Sequence, residues 1–102
     1  MAAFAKVATI GDLSPGQGMA VEANGKAIAL FNVDGAYYAI DDACPHRGTP
    51  LSEGELIGTE LTCAMHGAVF DVTTGEVLEP PAERGVACYN VRLSGNDIEV
   101  EA

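Results

Sequence analysis

The sequence has no tryptophan, only five basic residues and only two histidines among its 102 positions. Fifteen acids against those five bases leave a formal charge of −10, a surface that the phosphate backbone of a nucleic acid would repel. No apolar run approaches the ~20 residues that a membrane helix needs. Nor does Met1 to Asp12 carry the basic segment and long apolar stretch of a secretory signal. The expectation is a cytoplasmic protein with neither a nucleic-acid nor a membrane partner. Three cysteines are an odd number and a poor basis for a disulfide framework in such a setting. Also missing is any ten-residue segment with a helical period and a pair of caps.

What is present fits one modest hydrophobic core. Leu, Ile, Val and Phe supply 24 residues, which argues against disorder. A chain of this size buries roughly two-thirds of its unfolded surface, so a single domain over residues 1–102 is expected. Short strands separated by turn signals fill most of it. Val21 to Ala23 and Lys26 to Val33 flank Asn24-Gly25, a pair suited to the positive φ angles of a tight primed turn. Asp34-Gly35 repeats the signal before Ala36 to Ile40. Val86 to Leu93 and Asp97 to Glu101 flank Ser94-Gly95-Asn96, and alternation along the first of these places Tyr89, Val91 and Leu93 on one face. The expected fold is all-β, an antiparallel sandwich or small barrel.

The stretch of about 41–82 differs. It is rich in Gly and Pro and reads as loops around a short hairpin, Thr59 to Cys63 and Ala68 to Asp71, with a Thr74-Gly75 turn before Glu76 to Leu78. Residues 27–83 hold ten acids and one base, Arg47. Both histidines lie here, each close behind a cysteine: Cys44-Pro45-His46-Arg47-Gly48 is echoed by Cys63-Ala64-Met65-His66-Gly67. The spacing is C-x-H, sixteen intervening residues, then C-x-x-H. Core cysteines beside surface histidines would require the same accident twice. A mononuclear zinc site can use Cys₂His₂, but zinc knuckles usually pair like with like, C-x₂₋₄-C and H-x₃₋₅-H. Mixed halves suit a binuclear cluster better, because a [2Fe–2S] centre can take two cysteines on one iron and two histidines on the other.

These two segments resemble the Rieske motif. Support comes from the run G-A-V-F-D-V-T-T-G, Gly67 to Gly75, after the second histidine, and from Pro80-Pro81-Ala82, which resembles the proline loop covering the cluster in that family. The resemblance implies a Rieske-type antiparallel β-sandwich with a cluster-binding subdomain of two loops. It also implies that Cys44 and Cys63 hold the inner iron, and His46 and His66 the outer iron near solvent.

Two departures from the family's respiratory members carry information. Thr49 and Met65 stand where those proteins have a disulfide, and Ala68 and Phe70 stand where they have a serine and a tyrosine that donate hydrogen bonds to cluster sulfur. A donor aimed at sulfur stabilises the reduced, more negative state. At ~1–3 kcal/mol per bond, the loss of two lowers a one-electron potential by on the order of 100–250 mV. A low-potential carrier suits transfer from an NAD(P)H-dependent flavin reductase to an oxygen-activating enzyme. The profile resembles the ferredoxin component of bacterial aromatic-ring-hydroxylating dioxygenase systems. That implies a monomeric electron carrier, not an enzyme, whose partners are a flavin-containing ferredoxin reductase and a terminal oxygenase. A multicomponent monooxygenase is the alternative destination, and a zinc-stabilised interaction module the alternative class.

The other residues have plainer expected roles. Cys88 reads as a small buried core residue, Asp71 as a turn brace, and Phe31, Tyr37 and Tyr38 as core or sheet surface. Arg47 is a solvated charge or a docking contact. The acids Asp41, Asp42, Glu53, Glu55 and Glu60 read as a solvated face able to steer the carrier toward basic partners. Voltammetry is expected to place the couple at the low end of the roughly −150 to +300 mV span of Rieske centres; a midpoint above about +100 mV would overturn this.

Overall fold

The computed structural model describes residues 3–42, 50–63, 67–79 and 85–102. Among these residues ten strands run in chain order: β1 (Phe4–Thr9), β2 (Gly18–Ala23), β3 (Lys26–Val33), β4 (Ala36–Asp41), β5 (Glu55–Ile57), β6 (Glu60–Thr62), β7 (Val69–Asp71), β8 (Val77–Glu79), β9 (Cys88–Ser94) and β10 (Asp97–Glu101). Single 3₁₀ turns at Ile10–Asp12 and Leu51–Glu53 are the only helical pieces among the described residues. The strands form a six-stranded sheet, β1-β10-β9-β4-β3-β2, and a four-stranded sheet, β5-β6-β7-β8. All pairs are antiparallel.

Local turn chemistry sets the hairpins. Asn24 and Gly25 have φ of 51° and 83°, and Asp34 and Gly35 have 52° and 92°, so both turns have left-handed residues at both central positions. These angles match the right-handed twist of the strands they join. The β9–β10 connection is tighter than its sequence reads: Ser94 pairs with Asp97, leaving the two-residue loop Gly95-Asn96.

β3 is covered on both faces. Ile28 and Leu30 point into one core with Ala23, Ala39, Ile98 and Val100. Ala29 and Phe31 point into the other, with Ile40, Leu51, Leu61, Cys63, Phe70 and Val72. The first core fills the curl of the six-stranded sheet, whose edge strands β1 and β2 approach each other. Asn24 reinforces that closure, donating from Nδ2 to the carbonyls of Ala3 (2.8 Å) and Ala102 (3.0 Å). The second core lies between the β3–β4 hairpin and the four-stranded sheet. An apolar run such as Ile28 to Phe31 is what a strand buried on both sides requires.

Several sequence expectations change. β1 and β5 were not expected. The β1–β10 register shifts between Lys6 and Ala8, which breaks the simple alternation, and β5 is only three residues long. β9 begins at Cys88, two residues later than the sequence suggests, and Leu93 near its end is 52% exposed. Cys88 is exposed instead of buried. Period-two alternation accounts for this, because it puts Cys88 on the face of Asn90 and Arg92, opposite Tyr89 and Val91.

Gly54 fixes how the segment after the first cysteine–histidine pair meets β6. A Cβ at this position would collide with the Thr62 carbonyl oxygen and crowd Leu61 and the Leu51 carbonyl. Its φ of −77° suits any residue, so the demand for glycine is steric. Gly54→Ala is expected to cost about 1–3 kcal/mol, seen as a fall in Tm. An unchanged Tm would mean that the contact yields freely.

Candidate metal centre

Of the four expected ligands, Cys63 lies within the described residues; Cys44, His46 and His66 lie outside them, as do Arg47 and Pro80-Pro81-Ala82. Cys63 directly follows β6 and is buried, 2% exposed, in the second core. Its N–H donates to the Ala68 carbonyl at 2.8 Å, and its own carbonyl accepts from the Gly67 N–H at 3.1 Å. With Thr62 paired to Val69, these bonds draw the chain into a tight β6–β7 connection. Gly67 turns it with φ of 75°, a conformation that costs glycine little.

The ends of the first cysteine–histidine segment are held from the same core. Asp42 faces Leu51: the Leu51 N–H donates to the Asp42 carbonyl at 3.1 Å, and the Ser52 N–H to its carboxylate at 2.8 Å. Leu51 is fully buried beside Cys63, and Gly54 lies against Thr62, the neighbour of Cys63. The bases of both segments therefore meet at one end of the second core.

A buried sulfur donor surrounded by Leu, Ala and Phe side chains fits an iron–sulfur group shielded from water. Ala68 and Phe70 are both fully buried in that cluster and offer no hydroxyl. The residues present thus fit a cluster whose thiolate side is dry.

The carboxylates around this end are of two kinds. Asp41 and Asp42 are half-buried and hydrogen-bonded, which corrects their reading as a solvated face. Asp41 accepts the Tyr89 hydroxyl at 2.5 Å and the Ala87 N–H at 3.1 Å. Asp71 braces its turn as expected, accepting from the Thr73 N–H at 2.8 Å and the Thr73 hydroxyl at 2.6 Å. Glu53, Glu55 and Glu60 are exposed. No base occurs in residues 50–79. Lys6 and Arg92 are engaged elsewhere, with Asp97 at 3.3 Å and Glu99 at 2.6 Å, and Arg92 also stacks 4.1 Å over Phe4.

Cys88 is an exposed residue whose sulfur turns back to donate to the Thr73 carbonyl at 3.4 Å. That partial burial, with Asp71 nearby, raises its thiol pKa and keeps it a poor nucleophile. Sequence reasoning missed the bonds between Asp41, Ala87 and Tyr89. Its one signal was an acidic pair at a strand end before a loop, a pattern shared with ordinary surface charge.

An antiparallel β-fold with a buried cysteine at the end of β6, beside the fastened ends of the first cysteine–histidine segment, fits the class of cluster-binding domains. The family model described as the Rieske [2Fe-2S] domain matches residues 3–90. The chain is 34% identical to the biphenyl dioxygenase ferredoxin subunit of Pseudomonas sp. (strain KKS102), over 96% of this chain and 91% of that protein. It is 38% identical to the ferredoxin component of the naphthalene 1,2-dioxygenase/salicylate 5-hydroxylase systems of Ralstonia sp, over 84% and 83%. Its fold matches a chain of the solved complex of reduced oxygenase and oxidized ferredoxin in carbazole 1,9a-dioxygenase with a TM-score of 0.90 and 30% identity, covering 96% and 92%. The chain belongs to the Rieske [2Fe-2S] family, among the ferredoxins of aromatic-ring dioxygenase systems, and takes a Rieske-type [2Fe-2S] cluster. The zinc module is thereby set aside.

The Tyr89 phenol is pushed up to about 12, chiefly by burial, then by its hydrogen bond to the Asp41 carboxylate and that group's charge. A tyrosine in the unfolded chain titrates near ~10. The phenol's contribution to stability is therefore complete below about pH 10 and lost as pH rises toward about 12. Denaturant melts across that window are expected to show an alkaline loss that is smaller in Tyr89→Phe. Equal losses in both proteins would contradict the assignment.

Proposed function

We propose that this chain is a single Rieske domain spanning residues 1–102, with its cluster-binding region at about 41–82. In this reading Cys44 and Cys63 hold one iron through thiolate sulfur, and His46 and His66 hold the other through imidazole nitrogen. Bound there, the cluster supplies reversible one-electron storage. The protein takes single electrons from an NAD(P)H-dependent flavin reductase and delivers them to the terminal oxygenase of an aromatic-ring dioxygenase system. It acts in the cytoplasm, as a monomer, and performs no organic chemistry of its own. The observation that carries the reading is similarity to a dioxygenase ferredoxin subunit across more than nine-tenths of both chains. Among the described residues no helix is long and apolar enough to cross a membrane.

The chain's own residues would perform three tasks. Cys63 presents its sulfur from a buried strand end whose backbone is already hydrogen-bonded, so little is left to reorganise when the charge changes. Ala68 and Phe70 keep that side dry and withhold hydroxyl donors, which favours a low potential. Glu53, Glu55 and Glu60 keep a negative surface beside the centre, suited to drawing basic partner faces into encounter. A second destination has one specific observation behind it: the Ralstonia relative is named for a salicylate 5-hydroxylase system as well as a dioxygenase. Reconstitution with a dioxygenase and with a hydroxylase, each with its reductase, separates the two.

His46→Ala is expected to abolish the native Rieske EPR signal, and isolated wild-type protein to contain equal amounts of iron and acid-labile sulfide. A normal signal in that variant would sink the ligand assignment. Raising ionic strength is expected to slow reduction by the flavin reductase, and a flat salt profile would remove the steering role of the exposed acids.

A further inference from the structure

Asp41 is the last residue of β4 and stands three positions before Cys44. Its backbone N–H donates to the Ala87 carbonyl at 3.0 Å. Its carboxylate Oδ2 accepts the Ala87 N–H at 3.1 Å, and Oδ1 accepts the Tyr89 hydroxyl at 2.5 Å. All three bonds reach the chain that returns after residues 80–84. The β4–β9 ladder proper consists of Ala39 with Tyr89 and Ile40 with Cys88, so the Asp41 side chain prolongs a short pairing past its end. Asp42 faces the other way, binding Leu51 and Ser52 across the base of its own loop. Two adjacent aspartates thus tie one strand end to two different returning segments.

A solvated charge would have no need of this geometry. Both carboxylate oxygens of Asp41 are used, and both of their partners are donors. An asparagine could keep both contacts by accepting the Ala87 N–H and turning its NH₂ to donate to the Tyr89 oxygen, whereas an alanine leaves both partners without an acceptor.

We propose that Asp41 is a positioning residue for the cluster, a two-pronged clamp holding the strand that leads to Cys44 and His46 against the chain that returns from residues 80–84. The proposal rests on the ligand reading above. The clamp retains the cluster and keeps its surroundings uniform by fixing the loops' bases. Its negative charge is not what matters.

The test uses the holoprotein as wild type, Asp41→Ala, Tyr89→Phe and, as a charge control, Glu22→Gln on the exposed part of β2. Iron release to a chelator well below the Tm and the EPR lineshape of the reduced protein are the readouts. Asp41→Ala and Tyr89→Phe are each expected to release iron roughly ten-fold faster and to broaden the signal, with Glu22→Gln unchanged. Release at the wild-type rate in both variants would overturn the clamp, even if their Tm values fall. So would a Tyr89→Phe protein like wild type beside an Asp41→Ala protein altered only in potential, since that pattern belongs to charge. A wild-type protein without a Rieske signal would instead remove the ligand reading on which the clamp stands.

Discussion

The β3–β4 hairpin is buried from both sides, and the rest of the molecule is arranged around that condition. Ile28 and Leu30 close the core of the six-stranded sheet, while Ala29, Phe31 and Ile40 form the floor on which Cys63, Leu51 and Phe70 pack. A strand with water on either face could not serve two cores. Because it does, the end that carries Cys63 is built on a wall shared with the larger sheet. The short strands β5 to β8, three residues each, would be poor scaffolds alone. They gain their definition from Leu61 and Phe70 sinking into the shared floor.

On that floor the acidic residues divide their work. Asp41, Asp42 and Asp71 are spent on backbone and hydroxyl donors, so their charges stabilise particular chain crossings. Glu53, Glu55 and Glu60 stay in solvent, where their charge acts at a distance on whatever approaches. Apolar packing completes the division, since Ala68 and Phe70 are buried in the same cluster as Cys63 and bring no hydroxyl to it.

The hairpin turns were legible because their cause is local. Asn24-Gly25 and Asp34-Gly35 adopt left-handed angles through properties of those residues alone, and the strands beside them follow. β1 was not legible: its pairing shifts register between Lys6 and Ala8, so the alternation that marks a strand is interrupted. β5 was too short to show a period. Cys88 was assigned to the interior on its residue type, although the alternation of its own strand placed it outside. The cysteine–histidine pattern carried the expectation of a metal centre, and the described structure adds the burial of Cys63 and the bonds between Asp42, Leu51 and Ser52.

Cluster chemistry and turn geometry are written in residues that are neighbours in the chain, and reading them required no fold. The distinction between a solvated aspartate and a structural one was not of that kind. Asp41 meets partners 46 and 48 positions away. Nothing near it in the chain distinguishes it from Glu53. Its role exists only once β9 has been laid beside β4, because a carboxylate becomes a clamp when folding brings two donors to its two oxygens and removes the water that would otherwise bind them.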